Sequence, residues 1–600
     1  MNQKSEHTFH IPVMGIAFTI DSPIKVARFG ISSVISIIED RLIEIMRKHY
    51  YPSINKPYEP IASQEPDCRA KRITDYLNLV NTIVQQQMQK LKAEAFERGS
   101  EIVKYFEMLP KESRLNKLYH EMVVCSQAEE KEIKQSYLRT QLVAGSIDVN
   151  IMTKVDRDNR DKTGNIIQDG SDAVSALRGY INSNLSNSSI VFSAGLNPRI
   201  FNYLEHFNAF DPNDNFEFQK KVIIKVSDYR SALIQGRYLA KKGIWVSEFR
   251  IESGLNCGGH AFATDGYLLG PILEEFKNKR QTLSEAIFEV FKPAIHQKLG
   301  FSFTQPPEIE ISVQGGIGTH EEDLFLQQYY QINSTGWGTP FLLVPEATTV
   351  DPHTLGLLSA AKDSDIVLSK NSPLGVRFYH LNGTTADEEK QQRIAKGKPG
   401  SPCTEKHLAF NTEFTEKPIC TASHLYQNLK LEQLKTLQLS KKALERQQTD
   451  VLAKECLCVG LCNAASICYN EPFLRKMKAV TICPGPNIVN FSEIVSLKTM
   501  TDHIYGRTNI VSNQQRPHVF IAEMKIYLHF LKEQLMDGNG DTVDTKRKNY
   551  YQTFLRNLTD AIHYYQSILQ NIVVKQAEFM HALQRAEKEI VAIKLEYALD

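Results

Sequence analysis

The chain has 600 residues, which is too long for one compact core, so we expect two or three domains with at least one able to bury a deep site. Its apolar fraction of 42% and charged fraction of 23% are those of an ordinary globular protein. Lys and Arg number 70 against 69 Asp and Glu, so the net charge of +1 provides no overall field for nucleic acid or an anionic membrane. The expected partners are small molecules or protein.

The N-terminal stretch MNQKSEHTFHIPVMG lacks the basic-then-apolar order of a secretory signal. No window of the sequence approaches the roughly 18 to 20 apolar residues of a membrane span. We therefore expect a cytoplasmic protein. Ten cysteines in a chain of this length do not indicate a disulfide scaffold.

The first folded segment has the texture of a strand, a helix and a second strand. It reads HIPVMGIAFTIDSPIKVARFGISSVIS, in which Asp21 is the expected helix N-cap and Pro23 stands where its missing N–H costs nothing. Residues 39–142 then change to long helical patterns such as ITDYLNLVNTIVQQQMQKLKAEAFERGSEIVKYFEML. We interpret them as a helical region inserted into the first domain.

Strand patterns return after the insertion and alternate with segments of helical length. The strand-like runs are SIDVNIMTKV, SSIVFSAGLNP, KKVIIKVSD, GIWVSEFRIES, EIEISVQGG and TPFLLVPEA. Strands that alternate with helices predict a parallel sheet, and this number of units favours a (β/α)8 TIM barrel within the α/β class. The predicted barrel comprises residues 8–38 and 143–370.

Unusual residues stand at several predicted strand ends, where the chemistry of such barrels takes place. They are Met14-Gly15, Asn150, Gly258-Gly259-His260, Gly315-Gly316 and the run from Gly336 to Thr339. Glycine at a strand end lets the backbone approach a ligand and turn its N–H groups toward an anion. The helix-like HEEDLFLQQYY after Gly-Gly-Ile-Gly-Thr adds the partial positive charge of a helix N-terminus. The two glycine turns therefore predict a phosphate site.

Seven sequence motifs follow one another in an order that resembles a known family. They are IPVMGIAFTIDSPIKVARFG, IDVNIM, SIVFSAGLNP, IIKVSDYRSALIQGRYLAKKGI, GLNCGGHAF, VQGGIGT and GWGTPFLLVPEA. In this order they resemble the FMN-dependent nitronate monooxygenase (2-nitropropane dioxygenase) family, which is similar in turn to the enoyl reductases of fatty-acid and polyunsaturated-fatty-acid synthases. The resemblance extends from residue 10 to about residue 350, apart from the helical insertion.

The resemblance implies roles for individual residues. It places Met14 and Asn150 against the flavin ring and makes His260 the general base above it. The FMN phosphate would be bound by the glycine turns after the last two strands. The implied cofactor-binding set is Met14, Gly15, Asn150, Gly258, Gly259, Gly315, Gly316, Gly338 and Thr339. Trp337 and Cys257 depart from the family pattern, and the insertion and the C-terminal third lie outside it, so the substrate is left open.

Elementary chemistry is consistent with these roles and also offers simpler explanations. A base that takes a proton from a carbon acid needs a pKa near neutrality, which histidine has. Lys225, at the end of KKVIIKV, would add positive charge near the flavin or a reacting oxyanion. The alternatives are that His260 satisfies a turn, that Lys225 is merely solvated, and that Asn150 is an ordinary turn former.

The segment 371–515 is expected to pack on the barrel and contains a concentration of cysteines. A metal interpretation would make Cys456, Cys458, Cys462 and Cys483 ligands of an iron-sulfur cluster or of zinc. The spacing Cys-x-Cys-x3-Cys matches neither zinc ribbons nor ferredoxins, and the intervening residues are apolar. This favours buried reduced thiols and no metal site.

The last segment, 516–600, repeats apolar residues three and four apart and is predicted to be helical. Its tyrosines are expected to pack against the inserted helices or against a second subunit, which would make a homo-oligomer.

Three functional hypotheses follow. The first is an FMN-dependent oxidoreductase like the nitronate monooxygenases, with O2 as the final oxidant. The second is an enoyl-reductase-like flavoenzyme with NAD(P)H as donor. The third is a scaffold that binds FMN without turnover.

Overall fold

The structure is a computed structural model that describes residues 4–153, 156–259, 265–301, 303–472, 477–538, 545–572, 575–597 and 599. Within these ranges a parallel barrel of eight strands closes in chain order. The strands are β1 (Phe9–Ile11), β2 (Ser32–Ser36), β3 (Ile147–Ile151), β4 (Ser188–Phe192), β5 (Lys220–Val226), β6 (Val246–Glu252), β7 (Glu310–Gln314) and β8 (Ser334–Gly336). The predicted (β/α)8 TIM barrel is confirmed.

Helices connect successive strands, as the fold requires. They are α1 (Ser22–Val26) after β1, then α2 (Asp40–Tyr50), α3 (Cys68–Ala93), α4 (Glu101–Met108), α5 (Arg114–Val124) and α6 (Ala128–Thr140) between β2 and β3, followed by α7 (Asp172–Ile181), α8 (Pro198–Leu204), α9 (Tyr229–Ala240), α10 (Leu269–Leu299) and α11 (His320–Tyr329). Several begin at a side-chain cap, such as Asp228 accepting from Ser231 N at 2.6 Å before α9.

The start of α1 differs from the prediction in one respect. Asp21 stands at the N-cap position, but its side chain makes no hydrogen bond to the helix backbone, so the side-chain cap that the sequence indicates is not formed. Its buried carboxylate instead accepts hydrogen bonds from the Tyr50 and Thr349 hydroxyls, each at 2.7 Å. Asp21 therefore ties the first helix to α2 and to the segment after β8, because these contacts satisfy the carboxylate better than one helix amide would.

The inserted helices lie against the barrel near β2 and α7. Helix α3 packs on α7 and α2. Tyr76 of α3 donates to the carbonyl of Ile20 at 2.8 Å, and Arg69 donates to the carbonyl of Asp172 at 3.0 Å. These buried hydrogen bonds join the insertion to the core of the barrel.

The eighth strand lies earlier than the sequence predicts. The apolar run TPFLLVPEA was expected to be a strand, but Thr339–Leu343 forms a 3-10 turn in which Phe341 N donates to Gly338 O at 2.9 Å. Pro340 has no N–H for a strand ladder and suits the first turn of a helix. The strand is instead the three-residue β8, whose Thr335 pairs with Phe9 and closes the barrel.

The chain after the barrel continues through two short strands and a set of helices. These are α12 (Pro352–Ala360), β9 (Ile366–Ser369), β10 (Phe378–Leu381), α13 (Thr385–Ala395), α14 (His424–Thr436), α15 (Lys441–Ala453), α16 (Leu457–Gly460), α17 (Asn463–Cys468), α18 (Leu497–Ile504), α19 (Val519–Gly538), α20 (Thr545–Ser567) and α21 (Gln576–Tyr597). In the described ranges every helix is too short or too polar to cross a lipid bilayer.

The C-terminal helices pack on a different part of the molecule from the predicted one. Helices α19 and α20 contact α10, and both contact α21. The Tyr565 hydroxyl accepts from Gly270 N at 3.2 Å, and Tyr564 forms a hydrogen bond of 2.9 Å with Tyr330. These tyrosines are thus buried against α10 and α11 and not against the inserted helices. The homo-oligomer stays a prediction.

Candidate functional site

Polar side chains project into the barrel at the C-terminal ends of its strands. Alternation along each strand turns Ser36, Asn150, Lys225, Glu252 and Gln314 toward the interior. The register places Ser36 beside Asn150 and Glu252 beside Gln314. We call these five residues the polar rim. Two of them, Asn150 and Lys225, are predicted site residues, and the structure brings both to the same end of the barrel.

A single carboxylate organises one side of the polar rim. Glu252 Oε1 accepts hydrogen bonds from Lys225 Nζ at 3.2 Å, from Gln314 Nε2 at 2.8 Å and from Asn256 Nδ2 at 2.8 Å. The ion pair with Lys225 is only partly shielded from solvent. Because one oxygen holds three donors, the side chains of Lys225, Gln314 and Asn256 are fixed relative to one another.

Other atoms of the polar rim have no partner in the described part of the chain. They are Ser36 Oγ, Asn150 Oδ1 and Gln314 Oε1, and all three side chains are at least 97% buried. A buried polar atom without a hydrogen bond costs about 1–3 kcal/mol, so such atoms are rare in folded proteins. Their grouping at the active end of a barrel indicates a bound polar group.

Several predicted glycines lie where loops from different strands meet. Gly15, Gly258, Gly315 and Gly316 have positive φ angles of 113°, 76°, 106° and 82°. A methyl group added at Gly258 would lie 2.4 Å from the backbone of Met14. One added at Gly338 would lie 2.4 Å from Cys257 Sγ and 3.5 Å from Met14 Cγ. The loops after β1, β6 and β8 therefore converge on Met14.

The loop after β7 is held by an arginine that the sequence does not single out. Arg516 donates to the carbonyl of Gly316 at 2.7 Å and to both carboxylate oxygens of Glu322 at 2.7 and 2.8 Å. Glu322 also accepts from Gly318 N at 2.9 Å. Burial would raise the pKa of Glu322, but Arg516 holds that pKa below its usual value. This buried ion pair fastens the predicted phosphate loop to the chain before α19.

The segment 483–487 covers the other side of the predicted phosphate site. The Thr339 hydroxyl donates to Pro484 O at 2.7 Å, and Gly258 N donates to Cys483 O at 3.0 Å. The carbonyl of Ile317 accepts from Asn487 at 3.1 Å. The hydroxyl of Thr339 and the amide of Gly258 are thus used within the protein, which the resemblance does not predict.

Three backbone amides nearby make no such contact. The N–H groups of Gly316, Ile317 and Gly338 donate no hydrogen bond to any group that the structure describes, although all three residues are buried. Successive free N–H groups in a glycine turn form an anion site. The residues present thus offer acceptors for a flavin ring at the polar rim and donors for a phosphate at the glycine turns.

Of the predicted Gly-Gly-His motif, the structure describes Gly259 but not His260. His260, the predicted base, lies outside the described residues, so its position stays a prediction. Gly259 is placed, and its carbonyl accepts from the Cys483 thiol at 3.4 Å. Space within 4 Å of a methyl group at Gly259 is open among the described atoms.

The cysteines of the extension are thiols in apolar surroundings. Cys458 and Cys483 belong to one buried cluster with Phe378 and Tyr379. The Cys462 thiol donates to the carbonyl of Cys458 at 3.2 Å. Burial raises the pKa of Cys456 to about 11 and raises the pKa of Cys458 and Cys462 as well, which disfavours the thiolate that a metal would need.

The fold and the polar rim define a (β/α)8 barrel with a candidate site at the C-terminal ends of its strands. No family model matches the chain, and no curated protein matches it.

Two solved structures are similar to it. One is the enoyl reductase domain of MlnA from the macrolactin biosynthesis cluster of Bacillus amyloliquefaciens, with 15% identity, 66% of this chain and 84% of that chain covered, and a TM-score of 0.32. The other is nitroalkane oxidase from Streptomyces ansochromogenes, with 9% identity, 83% and 95% covered, and a TM-score of 0.32. Both are kinds of enzyme that the sequence resemblance predicts, but at these scores they say nothing about the reaction of this chain.

Proposed function

We propose that the protein is an FMN-dependent oxidoreductase, like the nitronate monooxygenases, that oxidises a carbon acid such as a nitroalkane, with O2 as the final oxidant. The observation that carries this proposal is the set of buried, unpartnered polar groups at the C-terminal end of the barrel. Acceptors at the polar rim and donors at the glycine turns match the two polar ends of a flavin mononucleotide.

Each part of the site has a distinct task in this proposal. The amides of Gly316, Ile317 and Gly338 would hold the phosphate, and Arg516 and Glu322 keep the first of these turns rigid. Asn150 and Gln314 would bind the polar edge of the ring, with Gln314 oriented by Glu252. Bound there, FMN supplies the redox chemistry that side chains lack. Met14 and Cys257 are buried, so they would keep water from the part of the site that they line.

His260 would take the proton from the substrate carbon. A neutral imidazole is a suitable base because its ordinary pKa lies near physiological pH. The residue follows Gly258 and Gly259, and the loop before it is anchored by the hydrogen bond from Gly258 N to Cys483 O. That anchor would fix the entry to the loop on which the base stands.

The first test is an absorption spectrum of the purified, untagged protein. Oxidised flavin bands, and FMN released on denaturation in about one equivalent, are expected. Bleaching by a nitroalkane under anaerobic conditions supports the proposal, whereas bleaching by NAD(P)H alone supports the enoyl-reductase alternative. Flavin that neither reagent bleaches supports the scaffold alternative. A protein that binds no flavin would sink all three.

The second test separates catalysis from binding. His260→Ala should keep the flavin and lower kcat by about 10²- to 10⁴-fold, the usual contribution of a general base. His353→Ala, at an exposed position in α12, is the matched control and should leave turnover unchanged. Equal turnover in His260→Ala and the wild type would remove His260 from the mechanism.

A further inference from the structure

A second polar cluster lies beside the barrel, just beyond the C-terminal end of β2. Glu39 follows β2, and Glu405 and His407 come from the segment between α13 and α14. One ligand atom from each of these three residues lies within 4.8 Å of the other two. Glu39 and His407 are buried, and the Glu405 side chain is 10% exposed. The cluster therefore joins the strand end of β2 to the extension.

We propose that Glu39, Glu405 and His407 bind a divalent transition-metal ion, and that this ion fastens the extension to the barrel. One imidazole nitrogen and two carboxylate oxygens suit an ion such as Zn²⁺ better than an all-oxygen ion such as Ca²⁺. Three protein ligands leave one coordination position for water. The proposal does not depend on the proposed flavin chemistry.

The spacing of the donor atoms fits a metal better than a direct bond. His407 Nε2 lies 3.5 Å from Glu39 Oε1, at the far limit of a hydrogen bond. Two ligands on a tetrahedral zinc, with bonds of about 2.0–2.1 Å, lie about 3.4 Å apart. The other oxygen of Glu39 caps α2 by accepting from Leu42 N at 2.6 Å. Glu39 is thereby oriented with only Oε1 toward His407.

The opposite side of the imidazole faces a second carboxylate at the same limiting distance. His407 Nδ1 lies 3.5 Å from Asp172 Oδ2, and Asp172 Oδ1 accepts from Asn159 Nδ2 at 2.9 Å. A carboxylate on this side of the ring favours the tautomer that leaves Nε2 as the metal ligand. Asp172 stands at the first position of α7, so the histidine is aligned by the barrel itself.

A buried carboxylate oxygen without a hydrogen bond is the second sign of a missing cation. Glu405 Oε1 is buried and has no hydrogen-bond partner in the part of the chain that is described. The Arg41 side chain, about half exposed, lies 3.7 Å from it. Buried Arg69 donates to the carbonyls of Ile37, Ile38 and Asp172. The charges of Glu39 and Glu405 therefore lack the closely bonded cation that burial requires.

A second group of the same composition shows how such a cluster looks when it needs no metal. His380 Nε2 lies 2.8 Å from Asp387, a good hydrogen-bond distance. Lys390 Nζ lies 3.1 Å from Asp387 and 3.3 Å from Glu455. Glu455 Oε1 also has no hydrogen bond, but Lys390 pairs with the other oxygen of Glu455, so the ammonium takes the place of a metal. His380 is thus a matched control for His407.

The experiment measures zinc binding to the full-length, untagged protein after treatment with a chelator and dialysis. Calorimetric titration with Zn²⁺ should give about one equivalent for the wild type. His407→Gln and Glu405→Gln should each weaken binding at least tenfold, and Asp172→Asn should weaken it about 10- to 100-fold. His380→Gln should bind as the wild type does. Substitution with Co²⁺ should give visible absorption bands that are absent in His407→Gln.

Far-UV circular dichroism of each variant shows whether it has folded, and Glu405→Gln changes the least buried of the three ligands. The proposal is overturned if the wild type binds no more Zn²⁺ than His407→Gln does. It is also overturned if His380→Gln and His407→Gln lose the same amount of metal. In either case His407 is an imidazolium that bridges Glu39 and Asp172. Because flavin content is measured separately by absorbance, failure here is distinguishable from failure of the proposed function.

Discussion

The two ends of the barrel interior differ in whether their buried polar groups have bonding partners. At the N-terminal end, Arg250 Nε lies 2.8 Å from Glu248, and Arg250 Nη2 lies 3.7 Å from Asp148. Ser312 donates a further hydrogen bond to Glu248. Burial would raise the pKa of Glu248, but Arg250 holds that pKa below its usual value. Each of these buried charges is paired with an opposite charge. A cavity of about 780 Å³ opens at this end, and His10 Nε2 has no hydrogen-bond partner among the described residues.

At the C-terminal end, Asn150 Oδ1 and Gln314 Oε1 are equally buried and have no protein partner in the described residues. These groups are neutral, so leaving them unpaired costs less than leaving a charge unpaired. The comparison teaches that paired charges stabilise the N-terminal end of this barrel, whereas the C-terminal end keeps neutral groups available for a ligand. Stability and ligand binding should then be separable by mutation.

Arg250→Met should have the largest effect on stability. It leaves Glu248 and Asp148 buried without their counter-ion, and breaking such a pair costs about 3–5 kcal/mol. Urea unfolding followed by circular dichroism measures the loss. The flavin content per folded molecule should not change, because Arg250 lies at the end opposite the polar rim.

The double variant Arg250→Met, Glu248→Leu is the control for this prediction. Replacing Arg250 and its nearer partner by apolar groups should restore part of the lost stability, because only Asp148 is then left without its counter-ion. A single variant that unfolds at the wild-type urea concentration would show that the pair does not hold the barrel together.

Glu523 is a buried carboxylate on the C-terminal side whose two oxygens both accept hydrogen bonds. It tests whether a fully bonded carboxylate there contributes to stability, as the paired charges at the N-terminal end do. It accepts from Gly254 N at 3.0 Å and from Leu269 N at 2.7 Å, and burial raises its pKa to about 7. The pKa of Glu523 is higher in the folded state than in the unfolded state, where it is near 4.5. The contribution of Glu523 to stability is therefore complete below pH 4.5 and is lost as the pH rises through 7. Between pH 5 and 8 the wild type should therefore lose about 2–3 kcal/mol that Glu523→Gln does not lose.

Unfolding of the two proteins in urea at pH 5, 6, 7 and 8 measures this difference. The readout is the wild type minus the variant, because other groups titrate in both. Parallel profiles for the two proteins would mean that Glu523 does not change its protonation between the folded and unfolded states.

Asn150→Ala should lower FMN affinity and leave stability nearly unchanged, the opposite of what we expect for Arg250→Met. Its Oδ1 has no partner to lose, so we expect the free energy of unfolding to change by less than about 1 kcal/mol. FMN affinity should fall about tenfold, which corresponds to one hydrogen bond of about 1.4 kcal/mol. Flavin fluorescence titration of the apoprotein measures it. Ser189→Ala, on the neighbouring strand β4, is the control and should leave FMN affinity as it is.

Much of the fold could be predicted because local pattern and long-range structure agree. The runs IDVNIM, KKVIIKV and EIEISVQ became β3, β5 and β7 because each combines strand periodicity with a following turn. Strand β8 was missed since Ser334, Thr335 and Gly336 form no apolar run. The apolar residues after it are buried as a 3-10 turn, so burial alone did not distinguish the two conformations.

The site could be predicted only where its residues lie near a motif. Asn150 and the glycines stand at strand ends, and the alternation Glu248, Arg250, Glu252 would have shown that Glu252 faces inward. Arg516 gave no signal, because it comes from 200 residues beyond the loop that it holds. Its role depends on tertiary packing that no local pattern encodes.

Lys225 provides the smallest and sharpest test of the comparison, because it is the one cation in the polar rim. Its ammonium is already paired with Glu252, so its net field on a ligand should be small. Lys225→Met should change FMN affinity by about threefold or less, equivalent to about 0.6 kcal/mol. Lys221→Met, on the same face of β5 but at the N-terminal end, is the matched control and should not change it. A 100-fold loss of FMN affinity in Lys225→Met, with none in Lys221→Met, would mean that the lysine leaves Glu252 to bind the flavin directly. A paired charge would then contribute to ligand binding, and the distinction between paired and unpaired groups would be wrong.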